Sequence, residues 1–270
     1  MIEAFGYTFF QRAILAGVIA GGLCGLLSVF IIAKKMAFIG QGISHAAFGG
    51  VALGLFLGID PLLTATIFAV AMALVVAFSS KRGSLDRDTI IGIVMATSMA
   101  IGVLLLSFAT SYTGTVMSYL FGNILAVGRT ELFFLIAVAI LTFIFIALFY
   151  KELEFFAFDE QMARHSGIPV DPIQATLLVF IALAVIASIQ IAGIILVTAL
   201  LVVPGAIAML IGRRFGSLFP ISIATGVIAS IIGLSISYIL DIPSGATIVL
   251  TLAIFFAVAT IIKKLSKKSR

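Results

Sequence analysis

Gln41 and His45 stand four residues apart in "FIGQGISHAAFGG", Phe38 to Gly50, inside an otherwise apolar run. That spacing puts both side chains on one face of a helix. A neutral imidazole ligates zinc and other transition-metal ions, and a glutamine carbonyl offers a harder oxygen. A plainer role is equally open, in which His45 hydrogen-bonds a neighbouring helix and fixes their packing. Ser44 is adjacent but points to another side. The second of the two histidines, His165, lies in a charged connection and receives no metal role.

A helix carrying this pair must sit in a particular medium. The chain has 270 residues, of which 63% are hydrophobic and 10% charged. A soluble domain has about 25% charged residues. The composition therefore implies an all-α polytopic membrane protein. We read nine apolar segments: Phe9–Ala33, Phe38–Gly58, Leu62–Ser80, Ile90–Ala109, Leu132–Tyr150, Ile173–Gln190, Ile194–Ile211, Leu218–Leu240 and Ala246–Ile262. Most approach the ~20 residues that a bilayer requires of a helix. The stretch from Ile173 to Ile211 would be about 58 Å long as one helix, nearly two membrane thicknesses. A tight hairpin near Gly193 resolves it. Residues 1–270 form a single transmembrane domain on this reading.

The net charge of +5 does not point to nucleic acid. All but Arg12 and Arg129 of the 16 Lys and Arg residues fall on one side of the nine spans. By the positive-inside rule that side is the cytoplasm, with the N-terminus outside and the C-terminus inside. Anionic lipid is the expected neighbour of the basic clusters. The N-terminus shows no basic region followed by a cleavage site, so we expect the first span itself to direct insertion. Cys24 is the single cysteine, which excludes an intrachain disulfide.

Several absences narrow the function. No Asp, Glu, Lys or Arg lies deep within a span, whereas ion-coupled transporters usually carry one there. No Gly-rich phosphate loop ending in Lys-Ser or Lys-Thr is present. We expect the chain not to be an enzyme, and any ATP hydrolysis to belong to another subunit.

Further features surround the Gln41–His45 pair. Gly42, Ala46, Gly50 and Gly54 recur at four-residue spacing and form a ridge suited to close helix contact. Pro204 removes a backbone hydrogen bond inside the seventh span and is expected to kink it, with a gate there left open. Thr110 to Thr130 reads as a short helix at the outer mouth. "KELEFFAFDEQMARHSGIPVDP" is the longest inner connection. Within its stretch 157–167, Asp159 can N-cap a short helix that Gly167 ends and Pro169 keeps from restarting. The helix either docks a cytoplasmic partner or merely links two spans.

"KKMAFIGQGISHAAFGGVALG", Lys34 to Gly54, resembles a signature of the permeases of ABC importers for zinc, manganese and iron. "IAGIILVTALLVVPGAIA", Ile191 to Ala208, resembles that family's second signature, and "VMSYLFGNIL" and "FDEQMARHSGIP" match its loop patterns. The resemblance runs in order over essentially the whole chain. It implies a homodimeric permease of the type II importer class in the cytoplasmic membrane of a prokaryote. Two cytoplasmic ATPase subunits and an extracytoplasmic metal-binding protein would be its partners. Asp159, Ala163 and Gly167 would belong to the coupling helix that sits in the ATPase. The cargo would be a divalent metal ion, zinc first and manganese or iron next, passed by alternating access rather than held as a cofactor. His45 and Gln41 would be its transient ligands. Family members commonly carry Gly-Asp-x-x-x-His here, and Gln41 stands where the acid is expected. A siderophore or cobalamin permease of the same class, or a secondary transporter or channel, is the alternative.

The charge asymmetry yields a topology test. A reporter fused after Arg270 is expected in the cytoplasm, and a tag between Thr110 and Thr130 is expected to be labelled on intact cells. A tag labelled only after permeabilisation overturns the nine-span reading.

Overall fold

A computed structural model describes residues 8–79, 87–108 and 127–268, and every regular element among them is helical. The helices are α1 (Thr8–Ala33), α2 (Ile39–Leu57), α3 (Pro61–Ser79), α4 (Arg87–Ser107), α5 (Arg129–Leu148), α6 (Tyr150–Phe158), α7 (Glu160–His165), α8 (Val170–Ile211), α9 (Phe215–Leu240) and α10 (Ser244–Lys268). Nine helical stretches among the described residues are long and apolar enough to cross a bilayer, with α8 counted as two. The outer-mouth helix expected at 110–130 falls largely on residues 109–126, outside the described residues. By Arg129 the chain is already in α5.

Helix α8 has 42 residues and would be about 63 Å long if straight. Its two ends nevertheless lie at the same end of the bundle. Near its start, Asp171 accepts a 2.6 Å hydrogen bond from Arg164. Just past its end, Phe215 packs on Phe158 at 5.2 Å between ring centroids. Gly193 makes this possible, because its φ of 75° and ψ of 164° lie in a region open essentially to glycine alone. The chain folds back there, as the length argument requires. At the opposite end of the bundle, a Cβ on Gly245 would lie 3.5 Å from the Ala192 carbonyl oxygen.

Helix α1 packs chiefly against α8 and α9. Leu27, Phe30 and Ile31 are fully buried. Small residues let its backbone touch α9: the Ser222 hydroxyl donates to the Gly25 carbonyl at 2.6 Å, and a Cβ on Gly21 would lie 2.6 Å from the Gly226 carbonyl oxygen. Lipid is as apolar as a leucine surface, so such close contacts and buried hydrogen bonds hold the helices together in place of the hydrophobic effect. Outward-facing Leu104, Phe133 and Phe143 are largely exposed, as suits side chains that meet lipid.

The same logic places α2. A Cβ on Gly50 would lie 2.7 Å from the Ala65 Cα and the Thr64 carbonyl oxygen of α3. Gly92 on α4 has nothing within 4 Å of the corresponding position. Gly50→Ala is therefore expected to destabilise the protein by about 1–3 kcal/mol through overpacking. Gly92→Ala is expected to be neutral or to stabilise by about 0.5–1 kcal/mol through helix propensity. Thermal unfolding of the purified protein in detergent checks both, and equal effects would refute the packing argument.

Candidate functional site

Helix α2 begins directly after a tight turn. The Met36 N–H donates to the Ile31 carbonyl at 2.9 Å, and the Ile39 N–H to the Met36 carbonyl at 3.0 Å. The turn is closed by Lys35 in the left-handed region, with φ of 55°. Helix α2 ends at Gly58, also left-handed. The expected ridge is present. Gly42, Ala46, Gly50 and Gly54 are all buried, with Gly42 against Met72 and Ile91 and Gly54 against Pro61 and Thr64. Ser44 is buried as well, and its hydroxyl donates to the Gly40 carbonyl of its own helix at 2.7 Å.

Gln41 and His45 occupy the adjacent face. Gln41 is exposed and His45 partly buried, beside exposed Phe38. Neither Gln41 nor His45 has a hydrogen-bond partner among the described residues. The packing role for His45 required such a partner on a neighbouring helix, and the described residues supply none. Two polar side chains remain on one apolar helix, one turn apart and open to whatever passes. Among the described residues no three His, Cys, Asp or Glu side chains converge. What the pair offers is one nitrogen and one oxygen, a ligand set suited to brief contact.

The second functional region is the connection between α5 and α8. Its short helix forms as the residues predict. One Asp159 carboxylate oxygen accepts from the Gln161 and Met162 N–H groups at 2.9 and 3.0 Å, the N-cap geometry. Gly167 takes a φ of 80°, and Pro169 stands at the start of α8. The helix, α7, occupies Glu160–His165, and a further short helix that the residues did not announce, α6, precedes it through Phe158. Ala163 is fully buried and faces the bundle. Its small side chain lets α7 lie flat against the protein and does not belong to an outward docking surface. The outward side of α7 carries Gln161, Met162, Arg164 and His165, with Met162 61% exposed. The missed signal was the apolar Met162 among polar residues on so short a helix. The His165 Nδ1 lies 2.7 Å from the Gln161 carbonyl oxygen, a bond within α7.

Ion pairs hold α7 in place. The Arg164 guanidinium donates to Asp171 at 2.6 Å and to Glu160 at 3.2 Å, and these bonds raise its pKa further. Glu160 also meets Lys34, at the end of α1, at 3.1 Å. On residue type alone Lys34 is only an orientation marker, since its partner lies 126 positions away.

Pro204 is buried inside α8, eleven residues past the non-helical Gly193. Next to it, the Gly205 N–H donates to the Ser28 hydroxyl of α1 at 2.8 Å. The Pro204–Gly205 step is a close contact between α8 and α1.

The family model of the ABC 3 transport family matches residues 6–263. The chain is 35% identical to the manganese transport system membrane protein MntC of Halalkalibacterium halodurans, over 95% of this chain and 88% of that protein. It is 35% identical to the chelated iron transport system membrane protein YfeD of Yersinia pestis, over 96% and 87% of the two chains. Among solved structures, PsaBC from Streptococcus pneumoniae in complex with Fab matches with a TM-score of 0.83 at 34% identity, covering 96% of this chain and 95% of that one. With nine membrane-crossing stretches and a match over nearly its whole length, this chain belongs to the ABC 3 transport family.

Proposed function

We propose that the chain is the permease subunit of an ATP-driven importer for a divalent transition-metal ion. The observation that carries this reading is the unpartnered Gln41–His45 pair on an exposed face of α2. A second copy of the chain covers that face, and the two pairs line a shared path. Manganese stands ahead of zinc as the cargo, because several relatives are named for manganese and the Gln41 oxygen suits a harder cation. Iron, named for another relative, comes next.

The work is divided among subunits. An extracytoplasmic binding protein delivers the ion, and two ATPase subunits supply the energy from the cytoplasm. They dock on the outward side of α7, around Met162. Closure of the ATPases displaces α7, and the helices rock so that the path opens to one side at a time. A site of few neutral ligands releases its ion readily, which suits passage.

Two measurements test this reading. His45→Ala is expected to abolish or sharply reduce manganese uptake while changing stability by no more than about 0.5 kcal/mol, since no hydrogen bond is lost. Gln41→Asp is expected to raise the ratio of manganese to zinc uptake, because a carboxylate binds the harder ion more strongly. Uptake of both ions, with expression and thermal stability recorded, decides it. Normal uptake by His45→Ala removes the histidine from the path. Separately, Met162→Arg is expected to release the ATPase from the purified complex and leave the permease folded. Retention of the ATPase would place docking elsewhere.

A further inference from the structure

Among the described residues, the Lys34 side chain links the segment of α6 and α7 to the turn that precedes the Gln41–His45 helix. The Lys34 ammonium donates to the Phe156 carbonyl at 3.0 Å and to the Glu160 carboxylate at 3.1 Å. It also lies over the Phe156 ring, 4.0 Å from the centroid. The Lys34 side chain is only 10% exposed, and Phe156 is fully buried. A largely buried ammonium cannot leave such partners without stranding its charge, so the contact resists separation. It grips α6 through a backbone carbonyl and an aromatic face, and α7 through its first residue.

On the other side of Lys34 the chain is equally constrained. The Lys34 N–H donates to the Phe30 carbonyl at 2.9 Å, and the Lys35 N–H to the Ile32 carbonyl at 3.1 Å. Met36 is fully buried, and its carbonyl accepts the Ile39 N–H that opens α2. From Lys34 the backbone reaches Gln41 in seven positions, through the buried Met36 and the exposed Ala37 and Phe38. Glu160 is also bound by Arg164, which is in turn bound to Asp171 at the start of α8. One charged cluster therefore ties together α1, α6, α7 and α8.

We propose that Lys34 is the positioning residue that transmits movement of α7 to α2, so that displacement of the docking helix shifts the Gln41–His45 face. This rests on the reading of α7 as the ATPase-docking helix. Lys34 touches neither the ion nor ATP on this account. It sets how much transport each hydrolysis event produces.

The test uses the complete transporter, permease with its ATPase, in sealed vesicles, with manganese ion as the probe. Metal uptake and ATP hydrolysis are measured together. Lys34→Met keeps the aliphatic stem and removes the donor and charge. It is expected to leave the ATPase bound and hydrolysing, while manganese carried per ATP falls by about tenfold, a size typical of coupling between sites. Lys34→Arg, which keeps charge and donors, is expected to restore most of the loss. Glu160→Gln, at a partly exposed position that does not threaten folding, is expected to reduce the ratio in the same direction. An unchanged ratio in Lys34→Met or in Glu160→Gln overturns the proposal. So does loss of the ATPase from Lys34→Met, which would make Lys34 a part of the docking surface. Failure of the docking reading itself appears elsewhere, as retention of the ATPase by Met162→Arg.

Discussion

Close approach of helix backbones through small residues is the constraint on which this structure depends. In lipid, burying one apolar side chain against another gains little over leaving it among acyl chains. What remains is dispersion at short range and hydrogen bonds that have no water to compete with them. Helix α1 uses both, meeting α9 at Gly21, Gly25 and Ser222 and α8 at Ser28 and Gly205. Helix α2 uses dispersion against α3 and α4, along the Gly42 to Gly54 ridge. These contacts decide which faces are used up. They leave Gln41 exposed and His45 partly exposed on one face of α2.

A second constraint follows from the scarcity of charge. Among the described residues no Asp, Glu, Lys or Arg lies in the interior of a span, where ion-coupled transporters usually carry one. Charge is concentrated instead at the end where α6 and α7 lie, in the cluster Lys34, Glu160, Arg164 and Asp171. That placement separates the two tasks. On the function proposed above, the apolar bundle provides a path with two weak ligands, and the charged end an attachment through which force enters.

Much of this was legible in the residues. The nine spans follow from apolar length, and the fold-back at Gly193 from the excess length of 173–211 over one membrane thickness. The Asp159 cap and the Gly167 stop follow from backbone chemistry local to a few positions. Three features were not legible. The inward orientation of Ala163 depends on how α7 lies against α6 and α8, which no local pattern encodes. The pairing of Lys34 with Glu160 joins residues distant in sequence, and both types are ordinary at a span end. Next to Pro204, the Gly205 N–H donates to Ser28 of a neighbouring helix, a partner 177 positions away that no local pattern announces.

The fold-back at Gly193 also bears on how the protein is made. A turn of one residue leaves nothing hydrophilic between the two arms of α8, so the translocation machinery has no loop to carry across the membrane. Two arms so closely joined suit entry into the bilayer together, as a hairpin whose backbone hydrogen bonds are already satisfied. Arg213 and Arg214 then never have to cross, and remain on the side where synthesis places Asp171. A change that lengthens or stiffens this turn acts before any packing does, at the moment when the chain commits to its topology.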